Sequence, residues 1–302
     1  MNRRALLYQL TGLGIAMMVK PAPASEMENI LQRKIPSSGE TLPVIGLGTW
    51  QTFDVGSSPE ERRPLGEIMR AMGERGIKVV DSSPMYGQSE AVLGELSTQE
   101  KVNNKLFIAT KVWTTGRENG ISQMNESFKL LRRKQIDLMQ IHNLVDWQTH
   151  LKTLRTWKEE GRIRYIGLTH YLDSAHETME DILKKFPIDF IQVNYSIRSR
   201  HAEDRLLPAA SDRQVGVLIN RPFEEGALFD SVKGKSLPDW SASFDCKSWG
   251  QFFLKFILSN PNVTCAIPGT SKVKHFLDNI GAGTGRLPDP QERLKMIRLM
   301  ES

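Results

Sequence analysis

Cysteine is scarce in this 302-residue chain, which carries only Cys246 and Cys265. Two cysteines cannot build a disulfide framework or complete a four-cysteine zinc site, and no Cys-x-x-Cys pair occurs. An oxidising compartment would permit one disulfide, but nothing in the spacing brings the two together. No metal-ligand spacing links His150, His176 and His201, which read as surface or helix-start residues, so no metal is expected. Low-complexity tracts and sequence repeats are missing too. No composition break divides the chain, so although its length permits one or two domains, one is favoured. With 25% charged and 39% hydrophobic residues, the chain is neither disordered nor fibrous.

Charge of one sign is also in short supply once its location is considered. The formal balance is +5. Arg3, Arg4 and Lys20 lie within the first 24 residues, which hold no acid, so the rest carries 37 bases against 35 acids. Bulk charge therefore does not argue for a nucleic-acid partner, and Arg132-Arg133-Lys134 reads as the basic end of a helix, where cations favour the dipole. Residues 1–24 run from a charged start through an apolar middle (6–19) to the small-residue end Pro21-Ala22-Pro23-Ala24. That is the pattern of an export signal cleaved after Ala24, and its middle is short and glycine-broken for a membrane span. The Arg3-Arg4 pair before Ala5-Leu6-Leu7 is similar to a twin-arginine signal, which predicts a periplasmic protein handed to an export machinery after folding. A chance arginine pair in an ordinary or uncleaved leader, leaving the protein cytoplasmic or membrane-anchored, is the alternative.

Beyond the leader, short apolar runs alternate with segments of helical period. Strand candidates are 44–50, 78–83, 106–113, 136–143, 163–171, 190–197, 216–223 and 264–270. Most are near-continuous in Val, Ile, Leu and Phe, as parallel strands covered on both faces should be. Amphipathic stretches such as 61–75, 122–133, 150–160, 174–186, 202–213 and 249–259 separate them. Eight strands each followed by a helix predict an α/β fold of the (β/α)8 TIM-barrel type over residues 30–302. Residues 31–42 read as a hairpin around Ser37-Ser38-Gly39 that plugs the bottom of the barrel. Residues 224–248, after the seventh strand, read as a long loop serving as a lid or binding segment.

Active sites of such barrels lie at the C-terminal ends of the strands. Asp81 ends the second strand candidate, with Tyr86 in the loop that follows; Lys111 ends the third and His142 the fourth. Neighbouring strands lie about 4.8 Å apart, so these side chains can converge. A phenol with an ordinary pKa near ~10 is a poor acid, a lysine cation beside it favours the phenolate, and an aspartate keeps the lysine charged and oriented. A histidine can hydrogen-bond and polarise a carbonyl oxygen. The set suits proton donation by Tyr86 to an alkoxide formed by hydride transfer.

Asp81-Ser82-Ser83-Pro84-Met85-Tyr86-Gly87 resembles the D-[TS]-[AS]-x-x-Y-G signature of the aldo-keto reductases. The resemblance continues through Gly46-Leu47-Gly48-Thr49-Trp50, Thr110-Lys111-Val112-Trp113, Ile141-His142, Tyr165-Ile166-Gly167-Leu168-Thr169, Gln192-Val193-Asn194-Tyr195 and Ile267-Pro268-Gly269-Thr270. It spans residues 30–286 and implies a barrel that binds NADP(H) in an extended form without metal. Consistent with that, Gly281-Ala282-Gly283-Thr284-Gly285 follows a helix, outside the context of a dinucleotide fingerprint. The resemblance implies Tyr86 as proton donor, with Lys111, Asp81 and His142 completing a tetrad.

Among implied cofactor contacts, Gln192 matches the residue that holds the nicotinamide carboxamide. Thr169 and His170 replace a usual Ser-Asn pair. Asn220 and Arg221 stand in an aromatic-Ser-Pro-Leu stretch, so Asn220 replaces the ring that stacks on the nicotinamide. Thr270, Ser271, Lys272 and His275 occupy the place of the adenosine 2′-phosphate clamp, with His275 for a usual arginine, and Asn279 matches an adenine contact. Lys272 and Lys274 can supply the charge, which favours NADP(H) over NAD(H). Trp50 and Trp113 are expected to wall the substrate pocket, with Trp147, Trp240, Phe244 and Trp249 as further aromatic cover. The expected activity is NADPH-dependent reduction of small aldehydes or ketones by a monomer. A nicotinamide-binding regulatory or redox-sensing subunit with little turnover, or an isomerase or lyase on the same scaffold, are the alternatives.

Overall fold

The computed structural model describes residues 30–301, so the leader expected at 1–24 lies outside the described residues. The chain opens with a hairpin of β1 (Gln32–Lys34) and β2 (Thr41–Pro43), paired antiparallel with Arg33 opposite Leu42. The barrel follows as β3 (Leu47–Gly48), α1 (Pro59–Arg75), β4 (Val79–Asp81), α2 (Ser89–Gln99), β5 (Phe107–Val112) and α3 (Arg117–Leu130). It continues as β6 (Ile136–His142), α4 (Trp147–Glu159), β7 (Ile163–Thr169), α5 (His176–Lys185), β8 (Phe190–Asn194) and α6 (Leu206–Asp212). The last part comprises β9 (Gly216–Asn220), α7 (Ala227–Ser231), α8 (Trp249–Leu258), β10 (Cys265–Ala266), α9 (Val273–Gly281) and α10 (Pro290–Glu301). Each expected strand is present with trimmed ends.

β3 to β10 pair in chain order, all parallel. Parallel bridges Ile45–Ala266 and Gly48–Gly269 join the first barrel strand to the last. That seam requires a glycine: a Cβ on residue 48 would stand 2.8 Å from the Ile267 carbonyl oxygen.

Because side chains alternate across a strand, each strand divides its residues between the barrel interior and the helix layer. Val80, Ile108, Met139, Ile141, Ile166, Leu168, Ile191, Val193, Val217 and Ile219 face outward into the main core, where the buried stripes of the helices meet them. In α4, for instance, Leu151, Leu154 and Trp157 recur at helical spacing on the covered face. The alternate residues point inward and form two levels. The lower level is apolar: Val79, Phe107, Leu138, Tyr165, Phe190, Leu218 and Cys265 pack with Ile35 and Leu42 of the hairpin. The hairpin is therefore the bottom plug expected from the sequence. It is tied down by Arg33, whose guanidinium donates to the carbonyls of Leu258, Asn260 and Val263, and by Tyr165, whose hydroxyl donates to Ser38 at 2.8 Å. Two or four residues further along the strands, the inward positions are Asp81, Lys111, Gln140, Thr169, Gln192 and Asn220.

Three expectations need correction. The segment after β9 is not an open loop: α7 and short helical turns at Glu224–Gly226 and Asp239–Phe244 occupy most of it. Its apolar residues Leu228, Val232 and Phe244 are buried, which stabilises local structure that a turn-rich sequence conceals. Trp147, Trp240, Phe244 and Trp249 are not pocket cover. Trp147 packs edge-on against Phe186, and the other three pack with Phe252, behind the barrel wall. His150 is buried within α4, neither at the surface nor at a helix start, while His176 begins α5 as expected but is buried. Cys246 and Cys265 are both buried free thiols.

The plug generates a prediction. Leu42 is fully buried, so Leu42→Ala should lower the unfolding free energy by about 2–5 kcal/mol in a denaturant titration. A loss below about 1 kcal/mol would show that the hairpin is not part of the cooperative core.

Candidate active site

The polar inner level forms the floor of a cavity of about 740 Å³ at the C-terminal end of the strands. Strand register sets its members side by side: Gly48 pairs with Asp81, Lys111 with Gln140, His142 with Thr169, and Thr169 with Gln192. Lys111 is fully buried and its Nζ lies 2.6 Å from Asp81 Oδ2 and 2.6 Å from the Ser82 carbonyl oxygen. The other carboxylate oxygen, Oδ1, accepts from Gln140 Nε2 at 3.0 Å and Gln192 Nε2 at 2.7 Å. Burial works against the Lys111 cation, but Asp81 and Tyr86 together hold its pKa above the ordinary lysine value.

Tyr86 is carried by a turn after β4, closed by its own N–H donating to the Ser83 carbonyl at 3.0 Å. Gly87 completes the turn with φ +56°, and a Cβ there would meet the Asp54 carboxylate at 2.2 Å. That carboxylate instead accepts from the Gln88 N–H at 2.9 Å. The tyrosine ring lies under Lys111 Nζ, 4.7 Å from the centroid, and edge-on to His142 at 5.8 Å. Burial raises the Tyr86 pKa, and Lys111 opposes that rise. Sequence reasoning anticipated the lysine's downward pull; burial outweighs it, and the balance keeps the phenol protonated at neutral pH.

His142 is buried, and its pKa is lowered to about 2 by burial first and then by the Lys111 charge. It is therefore a neutral imidazole. Ser83 Oγ sits 3.0 Å from its Nδ1 and accepts from the Met85 N–H at 3.3 Å. When the Ser83 hydroxyl donates to Nδ1, the imidazole N–H lies on Nε2.

The remaining expected residues divide between wall and surround. Trp50, Trp113, Thr169, Gln192, Asn220 and Arg221 line the cavity. Gln192 Oε1 accepts from Thr169 Oγ1 at 2.9 Å, so the amide retains one N–H and one lone pair for a ligand. Asn220 Nδ2 donates to the His170 carbonyl at 3.3 Å, while Asn220 Oδ1 is a buried acceptor left without a partner. His170 does not reach the cavity wall; its ring stacks on Tyr171 at 5.6 Å. Thr270 is buried and its Oγ1 accepts from the Lys272 N–H at 3.1 Å, organising the turn beyond Gly269 into α9. Ser271, Lys272 and His275 are exposed beside that turn, and Asn279 is buried within α9.

The structure adds members that the sequence did not single out. Gln140 orients Asp81 through strand register, and Ser83, from the turn after β4, holds His142. Met85, Tyr171 and Phe229 join the two tryptophans as exposed apolar lining, and Phe229 comes from the segment after β9. Exposed large apolar residues gathered in one concavity mark a binding site. The backbone around it is unusual: Gln51, Asn143, Arg221 and Glu225 line the cavity with positive φ. Such left-handed non-glycine residues cluster at functional sites. Glu90, in the first turn of α2 and outside the barrel, has its pKa raised to about 7 by burial, against hydrogen bonds from Thr110 and Ser127.

A family model described as the aldo/keto reductase family matches residues 44–297. Aldo-keto reductase YhdN of Bacillus subtilis is 26% identical over 209 residues, 64% of this chain and 62% of that protein. The chain thus spans less than two thirds of that relative's length. Methylglyoxal reductase YeaE of Escherichia coli is 26% identical over 82% of this chain and 88% of its own. Among solved structures, an aldo-keto reductase from Klebsiella pneumoniae in complex with NADPH superposes with a TM-score of 0.76 at 23% identity, covering 90% of this chain and 96% of that one.

The neutral His142 can be tested directly. Nitrogen-15 NMR of the imidazole should show a neutral ring throughout about pH 5–8, because its pKa lies well below that range. A titration near the ordinary value of 6.5 would contradict the burial and Lys111 repulsion described above.

Proposed function

The chain belongs to the aldo/keto reductase family, and on that premise we propose that it reduces aldehyde or ketone carbonyls to alcohols with NADPH, using Tyr86 as general acid. The observation that carries this reading is the Asp81–Lys111–Tyr86–His142 cluster on the floor of an aromatic-walled cavity. NADPH supplies the hydride when bound. The protein's own residues fit that cofactor at one decisive point: the unused N–H and lone pair of the Gln192 amide complement a primary carboxamide. The orphaned Asn220 Oδ1 is a further acceptor in the same wall, in the place that the family resemblance gives to a stacking ring.

His142 donates its Nε2–H to the substrate oxygen and polarises the carbonyl. Tyr86 delivers the phenolic proton to that oxygen as negative charge builds on it. Lys111 stabilises the phenolate left behind, and Asp81 holds the ammonium in place through a pair shielded from solvent. The apolar wall of Trp50, Met85, Trp113, Tyr171 and Phe229 excludes water and selects a small substrate with an apolar face. The surface beyond Gly269, with Lys272 and Lys274 exposed, favours the additional phosphate of NADP(H).

Asn220 lends some weight to a second reading, a nicotinamide-responsive subunit with little turnover, because an amide cannot stack as an aromatic ring does. Export by the Arg3-Arg4 leader is also part of this proposal. It would deliver an already folded protein to the periplasm, and Arg3→Lys together with Arg4→Lys should leave the protein in the cytoplasmic fraction.

Tyr86→Phe should retain NADPH binding, read by fluorescence, and lose about 10²–10⁴-fold in kcat/KM on a panel of small aldehydes and ketones. Equal turnover by wild type and variant would remove Tyr86 from its role. Tight NADPH binding with no turnover by wild type would favour the second reading. Trp113→Ala should raise KM for the carbonyl substrate more than it changes NADPH affinity.

A further inference from the structure

A second cluster of ligand-type side chains lies on the same face of the barrel, outside the tetrad. Asp173 opens the turn that follows β7, His176 is the first residue of α5, and His201 begins a short helical turn after β8. The ligand atoms of these three residues lie within 4.8 Å of one another. His176 is buried, while Asp173 and His201 are exposed. The three come from two different βα connections, so no sequence spacing announces them.

The hydrogen bonds around His176 define which nitrogen is available. Asn194, the last residue of β8, donates from Nδ2 to Asp173 Oδ1 and to Ser199 Oγ. Its amide is thereby oriented with Oδ1 toward His176, whose Nε2 lies 3.1 Å away and must donate. His176 therefore carries its proton on Nε2 and presents a bare Nδ1. That nitrogen faces His201 Nδ1 at 3.1 Å. Two imidazole nitrogens this close share a proton or a cation. For an ion ~2.0–2.1 Å from each nitrogen, a separation of 3.1 Å corresponds to an angle of roughly 100° at the metal. A histidine whose other nitrogen is held by an amide or carbonyl oxygen is also the usual arrangement behind a metal ligand.

We propose that Asp173, His176 and His201 form a binding site for a divalent first-row transition ion, zinc by preference, with solvent completing its coordination. Two imidazoles and one carboxylate suit such an ion better than calcium or magnesium, which favour oxygen donors throughout. Asn194 is a positioning residue that orients His176 and Asp173. The bound ion bridges the β7–α5 and β8–α6 connections. The first of these also carries Tyr171, a wall of the cavity, so the ion braces the rim of the candidate active site without entering its chemistry. The site itself does not depend on the carbonyl-reductase reading.

The test uses tag-free full-length protein stripped with chelator and titrated with zinc or with cobalt(II) as a spectroscopic probe. One equivalent should bind, cobalt should give visible ligand-field absorption, and the melting temperature should rise with added zinc. His201→Gln should abolish the equivalent and the thermal shift. Because His201 is exposed, this variant should fold even if His176→Gln does not. Asn194→Leu should weaken zinc binding by about 10–100-fold while leaving one equivalent at saturation. No stoichiometric binding by wild type, or one equivalent retained with unchanged affinity in His201→Gln, overturns the proposal and leaves a proton-sharing imidazole pair. Loss of carbonyl reduction in Tyr86→Phe has no bearing on this outcome, so the two readings fail separately.

Discussion

The buried ion pair between Lys111 and Asp81 is the constraint around which this molecule is organised. A fully buried ammonium is stable only when a carboxylate and further dipoles replace the water it has lost. The Ser82 carbonyl supplies one of those dipoles, and the Gln140 and Gln192 amides complete the shell of Asp81. Satisfying this set requires strands β4, β5, β6 and β8 to arrive in one register. Closing the barrel at Gly48 then sets that register against the last strand. Breaking such a pair from one side typically costs about 3–5 kcal/mol, because the remaining charge stays buried. Structure and chemistry therefore depend on the same contact.

The apolar level beneath makes this polar level affordable. Phe107, Tyr165 and Phe190 fill the barrel bottom, and the hairpin seals it with Ile35 and Leu42. Water is thus kept from the ion pair on one side, while the cavity opens on the other. The Lys111 charge in turn acts on both neighbours in this weakly screened space. It opposes the burial-driven rise in the Tyr86 pKa and adds to the burial that keeps His142 neutral. One cation thereby acts on two side chains at once, favouring loss of a proton from the phenol and disfavouring gain of one by the imidazole.

Around this rigid floor the rim is built differently. Segments after β3, β6 and β9 carry left-handed non-glycine residues, and the wall exposes large apolar side chains to the cavity. Arg221 illustrates the construction, with positive φ, an ion pair to Glu225 at 3.1 Å and its guanidinium over the Tyr171 ring. The cavity wall is completed here, by loops whose sequences follow no simple period. The same rim holds His176 and His201, drawn together from separate connections.

The strand alternation, the hairpin plug and the tetrad were legible in the residues because period-two and period-3.6 patterns, and the Asp81-to-Gly87 motif, are local signals. Trp50 and Trp113 were legible for the same reason, since they sit at strand ends. Phe229, Tyr171 and Gln140 were not, because their roles depend on where a neighbouring strand or helix places them. The turn-rich segment after β9 concealed α7, whose stability comes from burying Leu228 and its neighbours. The tryptophans at 147, 240 and 249 gave no hint of facing away from the cavity. By itself the sequence determined which residues alternate and which carry ionisable groups, because those follow from covalent spacing. Tertiary structure alone decided their company: burial and register keep the Tyr86 phenol protonated and the His142 imidazole neutral and set His176 beside His201, since a pKa or a ligand set belongs to an environment and not to a residue.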